Sequence, residues 1–460
     1  MKTVRNLLFG TALLLAAGAA AQNPASYFME GSILRSQLNP AFAPKRGYVN
    51  IPGLGGVDVN VSGNLSVDRI LFPRDGRLVT LLDQSVSASD ALTGLEAVNT
   101  AGSDVRVNLI GFGAYTRDGK HFWAFDLTAR ANVDGTAPYE LFDFLKRGTS
   151  TAIRDIGATA DSYIEAGLSY SFPLLNDRLY IGVRGKFLLG MARGRLHYDR
   201  FDATMDEDRW MIDARGTFDI TSARLGINTK IDGKGEAYYK PEDITLRPTQ
   251  PVGYGFAVDL GAAYDILPDL QASLAVNDLG FIAWGKGHNR TAVSAKELIF
   301  TGMEVDANGT KAQPRFDLDV LKFQPSDSRS VTRMLRASVN AGIEYKLWRR
   351  KIGLGLLYTA RIWEYDTLHD LTASVNFQPI GWFTLTGSYS MIDNRGHAVG
   401  LALNLCPGWI NFFIASDVIL AKHTKQFVPV KQNRMNLTLG LGVPIGPRSR
   451  RCERAWTAAE

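Results

Sequence analysis

Leu335-Arg336-Ala337-Ser338-Val339-Asn340-Ala341-Gly342-Ile343-Glu344-Tyr345 opens a run of seven short segments, reaching to Gly446, in which apolar and polar residues alternate at every step. The period is two, that of a strand with unlike faces, and not the 3.6 of a helix. The dyad returns at Leu354, Leu356, Tyr358, Ala360 and Ile362, at Leu371, Ala373, Val375 and Phe377, and at Phe383, Leu385, Gly387 and Tyr389. It closes with Val399 to Leu405, Ile410 to Ile414 and Met435 to Val443.

An antiparallel sandwich buries its apolar face, whereas a membrane barrel turns that face to lipid. The polar faces decide between them. Thr372, Ser374 and Asn376, then Thr384, Thr386, Ser388 and Ser390, are small and uncharged. Such residues suit a crowded lumen better than a water-facing surface dense in lysine and glutamate. Each segment runs about nine to twelve residues, the length a tilted strand needs to cross a bilayer. The fold class expected is therefore all-β, a transmembrane antiparallel up-and-down barrel.

The rest of the chain fits that frame. Lys2 and Arg5 precede an apolar stretch from Leu7 to Ala17, and Ala19, Ala20 and Ala21 follow before Gln22. This is the pattern of a secretory signal peptide over residues 1–21. After it no apolar run is long enough for a spanning helix, so any crossing is made by strands. A net charge of +5, with charges scattered along 460 residues, excludes the basic face of a nucleic-acid-binding protein. Cys406 and Cys452 are the only cysteines and the six histidines are dispersed, so neither a disulfide framework nor a metal site is expected. No nucleophile elbow, phosphate loop or zinc-protease motif occurs, and neither enzymatic activity nor a cofactor is expected.

Between the signal peptide and the first strand, residues 22–46 lack periodicity and hold Asn39-Pro40-Ala41-Phe42, where proline breaks regular structure. An Asn-Pro-Ala at this place resembles the signature of FadL-like outer-membrane barrels, as does the later block Asn277-Asp278-Leu279-Gly280-Phe281-Ile282. The resemblance is to an uncharacterised Bacteroidota branch, which is also similar to the PorV-type barrels of type IX secretion. It implies fourteen strands and makes Asn39, Pro40, Ala41 and Phe42 part of a hatch folded into the barrel. The expected organisation is then a hatch over 22–46, a barrel over 47–446 and a basic tail over 447–460.

Counting strands directly gives sixteen, with Tyr48 to Val61 interrupted by Pro52, Gly53, Gly55 and Gly56, and with two strands assigned between Trp210 and Ile231. Residues 285–332 read as a long, weakly patterned loop, and Pro138 to Lys146 as a short amphipathic helix. Short connections at Asp118-Gly119, 173–177, 267–269, 346–350, 379–381 and Pro407-Gly408 fall on one side, the periplasmic one in this class. Alternation points Asp126, Arg130, Glu165, Arg184, Lys186, Asp259, Arg336, Glu344 and Arg361 into the lumen, where charges need water or partners.

Three functions stay open. The resemblance implies passive uptake of a hydrophobic small molecule past the hatch. As the alternative, it suggests a PorV-like scaffold or shuttle whose outer loops bind a secreted or surface protein. A general diffusion porin is the third. The expected location is the outer membrane of a Gram-negative cell, with outer-membrane lipid as the constant partner.

Overall fold

The computed structural model describes residues 24–449, apart from 66–68, 75–76, 206–209, 232–234, 241–243, 301–321, 363–366, 394–395 and 417–433. The proposed signal peptide and most of the basic tail lie outside the described residues.

Fourteen strands close into an antiparallel barrel. In chain order they are β1 (Arg46–Asn50, continued by Val57–Gly63), β2 (Val98–Tyr115), β3 (Phe122–Pro138), β4 (Ile156–Leu174) and β5 (Leu179–Met205). Then come β6 (Gly253–Leu267), β7 (Leu270–Trp284), β8 (Val331–Met334, continued by Ser338–Leu347), β9 (Ile352–Ile362) and β10 (Thr367–Ile380). β11 (Phe383–Ile392), β12 (Gly396–Leu405), β13 (Asn411–Ser416) and β14 (Arg434–Arg448) complete the wall. Closure is made by β1, whose two halves both pair with β14 on one side and β2 on the other. Between the halves the ladder is kept by two bonds on each side: Ile51 N–H to the Leu441 carbonyl and Leu441 N–H to the Leu54 carbonyl, and Gly53 N–H to the Asn108 carbonyl and Asn108 N–H to the Gly56 carbonyl.

The barrel is inside-out relative to a soluble protein. On β10, Leu371, Val375 and Phe377 are exposed while Asp370, Thr372, Ser374 and Asn376 are buried. From His369 to Ile380 the strand takes eleven steps. At about 3.3 Å each and a tilt near 40° it rises roughly 28 Å, close to the ~25 Å apolar band of membrane barrels. Tyr–His pairs mark the rims. Tyr358 and His369, Tyr389 and His397, and Tyr170 and His121 each join hydroxyl to Nδ1 at 2.7–2.8 Å across neighbouring strands.

The ring has the fourteen strands that the resemblance implied, not the sixteen of the direct count. Trp210–Ser222 does not enter the ring; it pairs with the far half of β5 and with Asn289–Phe300. Arg224–Ile227 and Lys230–Ile231 form two small separate ladders. The weakly patterned loop expected over 285–332 is corrected in its described part, where Asn289–Phe300 joins a sheet rising beyond the barrel at the long-loop end. That sheet has its own apolar core, including Tyr198, Ile212, Phe218, Tyr239 and Phe323. The helix read near Pro138 spans Tyr139–Arg147, with Gly148 at φ 69° ending it in the left-handed region. The final strand runs to Arg448, two residues past the expected boundary.

Candidate functional site

The lumen is filled from the short-turn end by residues 24–45, which enter as two single-turn 3-10 helices, Pro24–Ser26 and Ile33–Gln37. An irregular segment inside a barrel must find partners for its own backbone polar groups. The wall supplies them. The side-chain amides of Asn277 on β7 and Asn340 on β8 both donate to the Leu38 carbonyl, at 2.9 and 3.2 Å, and Asn411 donates to the Gly31 carbonyl at 2.8 Å. Tyr115 closes the series with a 2.6 Å bond to the Pro44 carbonyl.

Asn39, Pro40, Ala41 and Phe42 sit at the centre of this packing. Asn39 is fully buried. Its Oδ1 accepts from the Ala41 amide at 3.0 Å, an Asx turn, while Nδ2 lies within reach of the Tyr27 hydroxyl and the Ala262 and Leu274 carbonyls. Pro40, without an N–H, ends the helical turn that Leu38 had continued. Phe42 packs edge-on against Tyr27 at 5.1 Å, and the Arg35 guanidinium lies 3.9 Å over its ring. Glycines on the wall make room for the segment. A Cβ on Gly182 would fall 2.1–2.2 Å from backbone atoms of Pro40 and Ala41.

One charged contact ties the segment to the rim. Glu30 pairs with Lys346 on β8 and lies 3.7 Å from Lys45. Burial alone would push its carboxyl up, but Lys346, Lys45, Arg35 and Arg350 outweigh it and hold the group well below the usual glutamate range. Glu344 stands beside the same lysine, at 3.7 Å, and accepts from Asn376.

At mid-height, beyond the N-terminal segment, lies a layer of paired charges. Six of the residues placed inward by alternation meet there. Arg184 bonds Asp126 at 2.5 Å and Glu165 at 2.6 Å, Arg130 reaches Glu165 at 3.0 Å, and Lys186 binds Asp259 at 2.7 Å. All are almost fully buried. Their hub is Asp278, which accepts two bonds from Arg130 at 2.8 and 3.1 Å and one from Lys186 at 2.6 Å, with Arg106 at 3.5 Å. The sequence reading did not place Asp278 in the lumen. A bulge at φ 60° turns both Asn277 and Asp278 inward, so strict alternation fails at this one step. Two adjacent polar residues in an otherwise alternating strand were the available signal.

Glu344, Arg336 and Arg361 do not join that layer. Glu344 lies with the N-terminal segment, as described. Arg361 pairs with Asp370. Arg336 is held by Asp134 at 2.5 Å and Asp104 at 3.4 Å. These two arginines border open space. A small cavity of about 60 Å³ runs from Pro24 and Leu38 of the N-terminal segment past Asp104, Arg106 and Arg130 to Arg361. Towards the long loops a chamber of about 280 Å³ is lined by Asp134, Asp161, Arg193, Arg333, Ile282 and Trp284, among others. Among the described residues no group of histidine, cysteine, aspartate and glutamate could hold a metal ion.

Known structures share the barrel at low similarity. The Ralstonia pickettii toluene transporter TbuX aligns with TM-score 0.43 and 10% identity over 93% of this chain and 99% of its own. A Pseudomonas aeruginosa FadL homologue gives 0.41 and 11% over 92% and 98%. The translocator domain of the Neisseria meningitidis autotransporter NalP gives 0.33 and 9% over 94% and 100%. Proteins of such different tasks share this likeness, so it selects none of them. No protein of curated function matches the sequence. The sequence matches one family profile over residues 40–417, nearly the whole barrel, and the chain therefore belongs to the family of unknown function DUF5723.

Proposed function

We propose that this protein is an outer-membrane channel for passive uptake of a small molecule, with residues 24–45 as its gate. The observation that carries the reading is the arrangement along the barrel axis: an outer chamber, a narrow inner cavity, and a plug, continuous with β1, whose own residues Pro24 and Leu38 line that cavity. A solute arriving from the long-loop side fills the chamber and leaves once the plug shifts. The inner cavity is small, about 60 Å³, and the plug borders it, which argues against a permanently open diffusion pore. The FadL-like resemblance implies a hydrophobic solute, but Ile282 and Trp284 of the chamber are buried in the wall and give such a solute little support.

The gate is testable by tethering it. A Cβ on Gly31 would lie 3.5 Å from Cγ of Asn404, close to the reach of a disulfide. Gly31→Cys with Asn404→Cys, in a chain with Cys406 and Cys452 changed to serine, is reconstituted in liposomes, and the uptake of small solutes is followed by swelling. Reduction is expected to raise uptake several-fold over the oxidised form. Equal uptake in both states overturns the gate.

A second reading, a PorV-like protein scaffold, draws on the sheet beyond the barrel, which carries a core of its own. Native mass spectrometry of the protein extracted gently from its membrane separates the two. A reproducible small adduct supports uptake, and a protein-sized partner without one supports the scaffold.

A further inference from the structure

The chamber and the inner cavity have a single described residue in common, Arg336. Its guanidinium is held by one carboxylate from each compartment, Asp134 of the chamber and Asp104 of the inner cavity. A side chain so placed bridges the two compartments and can give up either partner while keeping the other. Around it, with Arg336 counted once, the two linings together hold six arginines against five aspartates. The chamber sets Arg193, Arg333 and Arg336 against Asp134 and Asp161. The inner cavity sets Arg106, Arg130, Arg336 and Arg361 against Asp104, Asp278 and Asp370. Every cation in both linings is arginine, whose planar fork matches the paired oxygens of a carboxylate or phosphate.

Apart from Leu335, which is half-buried, the apolar residues of the chamber offer little free surface. Ile282 and Trp284 are buried in the wall, with the indole packed over Gly190 and Gly253. Met334 lies opposite the exposed Phe281 and shares its outward face. Ile362 is likewise largely exposed.

From this we infer that the solute of the channel is a small hydrophilic oxyanion, passed from the chamber to the inner cavity by Arg336. The inference rests on the gated-uptake reading and names its substrate class. The anion enters the chamber on Arg193 and Arg333 and competes with Asp134 for Arg336. It advances when the plug residues Pro24 and Leu38 widen the inner cavity.

The test uses the full chain bearing the Gly31→Cys, Asn404→Cys tether, reduced and oxidised, in liposomes. Sodium acetate and inorganic phosphate are the anionic probes and arabinose the uncharged one. In the reduced form the anions are expected to enter several-fold faster than arabinose. Arg336→Gln lowers the anion-to-arabinose ratio about tenfold, and Arg336→Lys restores part of it, which a merely structural role would not do. Arg333→Gln, confined to the chamber, lowers the same ratio and serves if Arg336→Gln does not assemble. Preference for acetate alone or phosphate alone supports the inference and identifies the oxyanion. Tether-dependent uptake without anion preference, or a ratio unchanged in both glutamine variants, overturns the inference and leaves the gate standing. Uptake that ignores the tether overturns both.

Discussion

Replacing Gly182 by alanine tests whether residues 24–45 are a separable plug, because the change is made on the wall and not on the plug. Gly182 stands on β5, and its new Cβ would lie 2.1 Å from the Pro40 carbonyl carbon and 2.2 Å from the Ala41 nitrogen. Touching carbons need about 3.5 Å. The neighbours are backbone atoms, not the far end of a flexible side chain, so the plug must move as a unit or the strand must bend. Overpacking of this kind costs about 1–3 kcal/mol. If the plug yields, the cost falls on its docked state alone, and the undocked population rises by about 5- to 150-fold. Gly185 on the same strand is the control, since a Cβ there meets nothing within 4 Å.

Hydrogen exchange read by mass spectrometry distinguishes the two responses. Peptides covering residues 24–45 are expected to lose protection in Gly182→Ala by that factor, while wall peptides and the Gly185→Ala protein stay unchanged. Faster exchange in β5 and its neighbours, with residues 24–45 as protected as before, would refute the idea that the segment is a body apart from the barrel.

Other outcomes follow from the same contacts. Asp278→Asn keeps a residue tolerant of the left-handed backbone but leaves Arg130, Lys186 and Arg106 facing a neutral group, so urea unfolding from lipid is expected to show a loss of about 3–5 kcal/mol. Val375→Arg, on the outward face at 52% exposure, is expected to cost about 2–4 kcal/mol in a bilayer, whereas on a water-facing sheet it would stay within about 0.5; near-neutrality removes the membrane assignment. Glu30→Gln tests the rim contact by pH. The folded carboxyl ionises well below its unfolded value, so its contribution is complete above the ordinary glutamate value of about 4.3 and is lost as pH falls through the folded value. The gap in thermal midpoint between wild type and Glu30→Gln should therefore be constant from about pH 8 to 5 and close below about 4; a gap that closes above 5 contradicts the pairing with Lys346.

The barrel was legible because lipid imposes a simple rule at each step: apolar out, small polar in. On β10 that rule alone sorts Leu371, Val375 and Phe377 from Thr372, Ser374 and Asn376, as the structure does. Beyond the membrane the rule lapses. Trp210–Ser222 alternates like a wall strand, yet its partners are the far half of β5 and Asn289–Phe300. Alternation reports a two-faced strand and says nothing of which sheet it joins, so the count of sixteen carried two strands too many. The same lapse hid Asn289–Phe300 in an apparent loop.

The site was legible by residue type and illegible by grouping. Periodicity turned Asp126, Arg130, Glu165, Arg184 and Lys186 inward, and a low-dielectric lumen left them little choice but to pair. It could not separate that layer from Glu344, which serves the plug, or from Arg336, which borders two cavities. Such distinctions depend on contacts between residues far apart in sequence. Leu38 meets Asn277 across 239 positions and Asn340 across 302, and neither asparagine differs in the sequence from any other inward amide. The plug itself explains why so polar a lumen is retained. A segment without regular structure brings unpaired carbonyls with it, and side-chain amides on the wall bind them without becoming a continuous ladder. Attachment through a few such bonds, one rim ion pair and glycine-cleared contacts holds the segment in register and is what the proposed gate requires if it is to let go, which an apolar lumen could not do with the same specificity.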